Sequence, residues 1–239
     1  MGETQVIVVS GHGRTVSSHI GAIHRRLLTA SGGPSILCTR KAGEATMPAA
    51  RESLLDAAFA ALARRPWARI RMTDVAAAAG VSRQTLYNEF GGKDGLARAL
   101  VRREAEAYLN GVERALTGVP GAAGPGERLA AAAVWTVRAG TENPLVRAVL
   151  TGCWNERLPG SQRSPRSAAV EPLPTPVDLL DQARDRAVRL LEAEWPPGGP
   201  VELARACETA ARLALSYVLV PAPAVEVASA VRGALARSG

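Results

Sequence analysis

The chain has 239 residues, a formal net charge of +7 and 47% hydrophobic residues, which is enough for one or two domains with a buried core. Cys38, Cys153 and Cys207 are widely spaced, so no disulfide framework or zinc site is predicted and a reducing cytoplasm is favoured. No apolar run approaches the roughly 20 residues of a membrane span.

Residues 1–46 show little periodicity, and we expect a disordered N-terminal extension. The three histidines of the chain lie here at spacings that do not suggest a metal site: His12, His19 and His24. Two interpretations stay open. Met47 could be the true initiator, or basic side chains of the extension could reach the minor groove of DNA: Arg25, Arg26, Arg40 and Lys41.

A first amphipathic helix is predicted from Pro48 to Ala63. Its apolar positions recur with helical spacing: Leu54, Leu55, Ala58, Phe59 and Leu62. The sequence Arg64-Arg65-Pro66 ends this helix. Trp67 and Ile70 are predicted to pack into the core beside it.

Two short helices with a tight turn are predicted between Thr73 and Lys93. Thr73 is predicted to cap the first helix, because its hydroxyl can accept a free backbone N–H. Gly80 ends that helix, since glycine adopts the left-handed conformation without a Cβ clash. Ser82 is predicted to cap the second helix, which runs from about Arg83.

The second helix has one buried side and one polar side. Leu86 and Phe90 are four residues apart and form the predicted buried stripe, with Phe90 as the last residue. The rest of the helix offers side chains that can contact base edges and phosphates: Arg83, Gln84, Thr85, Tyr87 and Asn88. This pattern predicts the recognition helix of a helix-turn-helix. The alternative is an ordinary helical hairpin with a solvated polar face.

This region resembles the DNA-binding domain of TetR-family transcriptional regulators. The matching motifs are Thr73-Asp-Val-Ala, Ala79-Gly-Val-Ser, Thr85-Leu-Tyr, Phe90 and Lys93-Asp-Gly-Leu. Two positions depart from the family. Gly91-Gly92 replaces the more usual Pro and Ser, which weakens the cap of the next helix. Asn88 replaces a bulkier or basic residue, which bears on the DNA sequence that is read.

The resemblance and the chemistry of the side chains together predict the DNA contacts. Gln84 and Asn88 are expected to read base edges. Thr85 and Tyr87 are expected on the DNA backbone or a thymine methyl, and Arg83 on either. Phosphate contacts are expected from Thr73, Ser82 and Lys93. A local excess of positive charge supports this, since residues 64–93 hold six basic residues against Asp74 and Glu89.

The remainder of the chain is predicted to be helical. A long helix follows Lys93 through Leu116, and a Gly- and Pro-rich loop follows it. Five further helices are predicted, with a linker at 158–176: 127–140, 143 to about 154, 177–195, 201–220 and 224–236. The last two are rich in small residues, and the resemblance implies that they form a four-helix dimer interface. An intramolecular core is the alternative for them.

The resemblance also implies that the helical body encloses a pocket for a small-molecule effector. Candidate lining residues are Trp135, Arg138, Thr141, Trp154 and Asn155, together with Glu142 and Cys153. Trp135 and Trp154 could stack on a flat apolar ligand. Roles in the core or on the surface are the alternative for all of them.

No enzymatic activity is predicted. No histidine occurs from Met47 to the end of the chain, which removes Ser-His-Asp, Cys-His and His-metal arrangements. No phosphate-binding or nucleophile-elbow motif occurs, and no cofactor is expected. A helical adaptor that does not bind DNA is the remaining alternative.

The sequence therefore predicts an all-α protein with three parts: an extension (1–46), a three-helix DNA-binding domain (47–92) and a C-terminal helical ligand-binding and dimerisation domain (93–239). The resemblance implies a cytoplasmic homodimer. It also implies a repressor that leaves a double-stranded DNA operator when a small-molecule effector binds.

Overall fold

The structure is a computed structural model that describes residues 47–118, 124–159, 172–195 and 199–236. Within these ranges the chain is helical and contains no strand. The helices are α1 (Met47–Arg64), α2 (Met72–Ala78), α3 (Arg83–Phe90), α4 (Lys93–Thr117), α5 (Pro125–Glu142), α6 (Pro144–Thr151), α7 (Pro176–Leu191), α8 (Pro200–Leu219) and α9 (Ala224–Ala236). The predictions for residues 1–46, including Cys38 and the histidines, and for most of the 158–176 linker lie outside the described residues.

Helices α1–α3 form a small helical unit, which we call the head, around one apolar centre. The buried side chains include the predicted stripe of α1: Leu54, Leu55, Ala58 and Leu62. Trp67, which begins a short 3₁₀ turn at Trp67–Arg69, and Ile70, which follows that turn, are also buried, as the sequence predicts. This packing fixes the position of α2 and α3 relative to α1.

The turn between α2 and α3 follows the prediction in most details. Gly80 adopts φ of 68°, and the N–H of Val81 donates to the carbonyl of Ala76 at 3.1 Å. These features close α2 with a left-handed residue that costs least as glycine. The Ser82 hydroxyl accepts the N–H of Thr85 at 3.0 Å and so caps α3, which spans the predicted residues.

The predicted cap at Thr73 is wrong. Helix α2 begins at Met72, and its N-cap is Arg71, whose side chain makes no capping hydrogen bond. The Arg71 carbonyl accepts from the N–H groups of Asp74 and Val75, so the first turn closes before Thr73 can act as a cap. Thr73 lies on the exposed side of that first turn.

Helix α4 is shared by the head and the helical body that follows it. It begins at Lys93, and its N-cap residue Gly92 supplies no side-chain cap, as the Gly91-Gly92 departure predicts. Its inner side is buried against the neighbouring helices through large apolar residues that include Leu96, Leu100, Leu109 and Leu116. One continuous helix therefore joins the head to the body.

Two predicted helix ends in the body are placed too late. Helix α6 ends at Thr151 and not near Trp154, because Gly152 adopts the left-handed conformation at its C-cap. Helix α7 ends at Leu191, and Glu192–Glu194 continue as a 3₁₀ turn. In the sequence, the apolar pattern of α6 and of α7 continues past the last helical residue. In each case the additional apolar residues belong to the turn that follows the helix. None of the described helices is long and apolar enough to cross a membrane.

Candidate nucleic-acid interface

Helix α3 separates a buried side from an exposed side. Leu86 is fully buried and Phe90 is 9% exposed, so these two side chains anchor the helix in the head. The exposed side carries the residues predicted for DNA contact: Ser82, Arg83, Gln84, Tyr87 and Asn88, with Thr85 half-buried. The structure thus brings six of the eight predicted DNA-binding residues onto one short helix and its cap.

The exposed side chains of α3 are already paired with one another. Gln84 Nε2 donates to Asn88 Oδ1 at 2.7 Å. The guanidinium carbon of Arg83 lies 5.3 Å from the centre of the Tyr87 ring. These i, i+4 contacts reduce the number of rotamers that the free protein samples. The residues on this side of α3 therefore contact one another in pairs one helical turn apart.

Arg51 of α1 holds the C-terminal end of α3. Its Nη1 lies 2.5 Å from Glu89 Oε1, and its guanidinium carbon lies 5.0 Å from the centre of the Phe90 ring. The Glu89 side chain is only 18% exposed, so the ion pair is partly shielded from solvent. This contact was not predicted, because 38 residues separate its partners. We call it the Arg51–Glu89 latch.

Lys93 begins α4 and faces the 3₁₀ turn of the head. Its Nζ donates to the carbonyl of Ala68 at 3.0 Å and lies 5.7 Å from the centre of the Trp67 ring. Partial burial lowers the pKa of Lys93, while the nearby Asp94 acts in the opposite direction. The ammonium group is half-buried, so it has both a structural contact and a remaining path to solvent.

The basic residues of the head divide into paired and unpaired ones. Arg65 Nη1 lies 3.2 Å from Asp74 Oδ2, which neutralises the acidic residue of the α2 N-terminus. Four exposed arginines of the head form no ion pair with any residue that the structure describes: Arg64, Arg69, Arg71 and Arg83. Guanidinium groups without an ion-pair partner are suited to phosphate oxygens, because they carry donors and no acceptor.

The residues predicted to bind an effector lie at separate places in the body, each with its own contacts. Trp135 Nε1 donates to the carbonyl of Tyr108 at 3.2 Å, and its ring lies against Gly111 of α4. Arg138 Nε donates to Glu142 Oε1 at 2.8 Å on the surface. Thr141 donates to the carbonyl of Val137, Trp154 is half-buried, and Asn155 accepts the N–H of Arg157.

Two clefts in the described part of the chain lie away from the residues predicted for an effector. The larger has a volume of about 590 Å³ and runs between α1, the end of α3 and α4, with Arg51, Glu89, Arg98 and Arg103 on its walls. The smaller, of about 480 Å³, lies beside the N-terminal part of α8. Neither cleft includes any of the residues predicted for the effector, so that assignment stays a prediction.

Two family models match this chain. Residues 54–100 match bacterial regulatory proteins of the tetR family, and residues 126–237 match the C-terminal domain of the bacterial tetracyclin repressor. The two matches together cover more than half of the chain, and the first contains α2, α3 and the start of α4. The chain belongs to the TetR family of transcriptional regulators. Its α2–α3 pair is the family's DNA-binding helix-turn-helix.

Curated HTH-type transcriptional regulators match part of this chain. The HTH-type transcriptional regulator AlkX of Mycobacterium tuberculosis is 45% identical over 73 residues, which are 30% of this chain and 35% of AlkX. Another HTH-type regulator of that species is 33% identical over 102 residues, 43% of this chain and 49% of the relative. The chain thus spans about a third to a half of the length of these relatives.

Solved structures support the TetR fold over most of the chain. The TetR family repressor AlkX from Dietzia has a TM-score of 0.50 and 23% identity, covering 79% of this chain and 97% of that one. A TetR-family regulator from Mesorhizobium loti has a TM-score of 0.56 and 15% identity, covering 82% and 97%. At identities of 15–23%, the similarity to these structures shows a shared fold and no more.

Sequence reasoning missed several polar contacts of this TetR-family protein. Glu104 of α4 is 8% exposed, accepts from Arg103 and from the Asn143 side chain, and Arg103 also reaches Asp56 of α1 at 2.7 Å. These residues connect the head, α4 and the start of α6. A glutamate on the apolar side of α4 was the one available signal, because a buried carboxylate requires partners.

Proposed function

We propose that the protein binds a double-stranded DNA operator as a cytoplasmic homodimer and represses transcription until a small-molecule effector releases it. The observation that carries the proposal is the exposed side of α3, where Gln84, Asn88 and Arg83 stand opposite the buried Leu86 and Phe90. Side chains of these types supply the donors and acceptors that distinguish base pairs in the major groove. Membership of a family of regulators supports the same reading.

The contacts with DNA divide into two groups by chemistry. Gln84 and Asn88 read base edges, while Thr85 and Tyr87 contact the DNA backbone or a thymine methyl. Phosphates are bound by Thr73, Ser82 and Lys93, with Arg83 on a base or a phosphate. Phosphate contacts position the protein, and base contacts provide sequence preference.

Dimerisation is supported by the surface around the α8–α9 junction. Three large apolar side chains there are exposed in the single chain: Leu219 (53%), Val220 (73%) and Val225 (73%). One recognition helix covers few base pairs, and a twofold dimer reads two half-sites about 34–36 Å apart or a multiple of that distance. Of the small residues of α8, Ala206, Ala210 and Ala214 are buried within the protomer, so the exposed residues carry this argument.

Linkage describes how an effector releases such a protein from DNA. An effector that binds better to a conformation unable to bind DNA lowers DNA affinity, and DNA lowers effector affinity by the same factor. The match to the tetracyclin repressor C-terminal domain supports a ligand-responsive repressor. We keep the α5–α6 region with Trp135, Arg138, Thr141, Trp154 and Asn155 as the proposed effector site, and assign no cofactor and no enzymatic activity.

Hydroxyl-radical footprinting on the DNA beside the gene tests this proposal. We expect two protected regions related by a twofold axis, with centres separated by about 10–10.5 base pairs or a multiple. A single protected region would contradict the dimer. Uniform protection along the fragment would contradict sequence-specific binding.

A further inference from the structure

The two amide side chains on the exposed side of α3 form a pair. Gln84 Nε2 donates to Asn88 Oδ1 at 2.7 Å, and both residues are exposed to solvent. They are one turn apart, so their side chains lie over the same part of the helix. The head therefore presents them as one hydrogen-bonded unit, which we call the amide pair.

The hydrogen-bonding capacity that the amide pair retains is well defined. The internal bond leaves the Gln84 carbonyl oxygen and the Asn88 amino group wholly unused. The two bonded groups each keep one further donor hydrogen or acceptor lone pair, because each primary amide has two of each. If both amides were turned over, the two roles would be exchanged. In either arrangement the pair offers a donor and an acceptor to a partner.

Adenine is the base that uses both groups at its major-groove edge. It presents the N7 acceptor beside the N6 amino donor, whereas guanine presents two acceptors, cytosine a donor, and thymine an acceptor and a methyl group. An arginine would supply donors only. We infer that Gln84 and Asn88 act jointly on one A·T base pair in each half-site. This inference rests on the proposed function, since it requires α3 to lie in the major groove.

A double-mutant cycle tests whether Gln84 and Asn88 act jointly on one A·T base pair. The wild-type protein first selects its preferred site from a random duplex library, and affinities for that site are then measured for Gln84→Ala, Asn88→Ala and the double variant. We expect each single change to lower affinity about 5- to 150-fold and to relax preference at the same A·T pair. The double variant should lose no more than the weaker-binding single variant. Thr117→Ala, an exposed change at the far end of α4, should leave affinity unchanged.

A modified base provides an independent measurement. Replacing that adenine with 7-deazaadenine removes the N7 acceptor, and the wild type should lose affinity. Gln84→Ala and Asn88→Ala should lose no more, because their joint contact is already absent. Three results would each overturn the inference that the two residues act jointly. These are additive losses of affinity in the double variant, relaxed preference at two different base pairs, and selection of G·C at the affected position.

The failure of the proposed function gives a different result. A wild-type protein that enriches no sequence from the library would overturn specific DNA binding itself, and the joint reading with it. Circular dichroism of each variant accompanies the binding data. Because both residues are exposed and both changes are to alanine, which favours helix, the variants should keep the wild-type spectrum.

Discussion

Lys93 shows how one side chain can hold the head together and contact DNA. Its Nζ donates to the Ala68 carbonyl at 3.0 Å, yet the residue is only half-buried at the start of α4. The positive end of a helix and an ammonium group together attract a phosphate. The proposed phosphate contact and the observed internal contact share one atom.

Lys93→Ala is therefore expected to weaken binding to operator and random DNA by similar factors. The slope of log affinity against log salt should fall by about 1 per protomer. The Ala68 carbonyl also loses a charged donor, so the free energy of unfolding should fall by about 1 kcal/mol. Binding titrations across a salt series and urea unfolding measure the two effects. Lys93→Arg, which keeps the charge, is the control, and a loss on operator DNA alone would contradict the phosphate role.

Local chemistry explains which residues could be predicted. The polar side of α3 follows from sequence because Leu86 and Phe90 fix the rotation of the helix, and Ser82 and Gly80 have strong local preferences. Thr73 was misplaced because N-cap propensity does not outweigh the backbone bonds to the Arg71 carbonyl, which place the N-cap two residues earlier. The Arg51–Glu89 latch has no local signal, since it depends on how α1 and α3 pack.

At the scale of the element, the Arg51–Glu89 latch sets how α3 is held. Arg51→Ala leaves a carboxylate that is 18% exposed without its partner. Because exposed ion pairs and cation–ring contacts are each weak, the loss in unfolding free energy should be about 1 kcal/mol. Operator affinity should fall more than affinity for random DNA, because the angle of α3 relaxes.

The double variant Arg51→Glu with Glu89→Arg exchanges the two charges. It should restore much of the preference for operator DNA that Arg51→Ala loses. Arg184→Ala, which breaks ion pairs on the surface of α7, serves as the control and should not alter DNA binding. Competition binding of operator and random duplexes measures the preference. Equal loss on both duplexes for Arg51→Ala, with no recovery in the exchanged variant, would argue against a positioning role.

Gly95 lets α4 pass close to the end of α3. A Cβ on this residue would lie 1.8 Å from the Phe90 carbonyl oxygen, so one helix must move. Gly95→Ala should cost about 1–3 kcal/mol of unfolding free energy and reduce DNA affinity. Gly126→Ala, whose Cβ meets nothing within 4 Å, should lower neither the unfolding free energy nor the DNA affinity. Wild-type stability in Gly95→Ala would show that the two helices are not held this tightly.

At the scale of the whole molecule, the proposed dimer depends on the exposed apolar side chains of the α8–α9 junction. Leu219→Asp and Val225→Asp should each shift the protein toward monomer, because burying a carboxylate in an apolar interface is costly. Sedimentation velocity measures the state. Val201→Asp, an equally exposed valine at the other end of α8, should leave the dimer intact. If both junction variants sediment as the wild type does, the interface lies elsewhere.

The helical body could be predicted in outline and not in its interior contacts. Proline and glycine marked most helix limits, and the apolar period identified the buried sides. The backbone bond from Trp67 N–H to the Arg157 carbonyl at 2.8 Å joins residues 90 positions apart in sequence, and no local pattern indicates it. Trp135 illustrates the same limit, because an aromatic residue on α5 fits a pocket and a helix contact equally well in sequence.

Salt-dependent binding of the full chain to the DNA that flanks its own gene shows whether the protein is a sequence-specific DNA-binding dimer. A basic head with unpaired arginines and a polar recognition helix predicts tight binding to one site by a dimer. Affinity should fall steeply as salt rises, since each neutralised phosphate releases counterions. Weak binding that is the same for flanking and unrelated DNA would contradict specific operator binding and favour a helical adaptor with a protein partner.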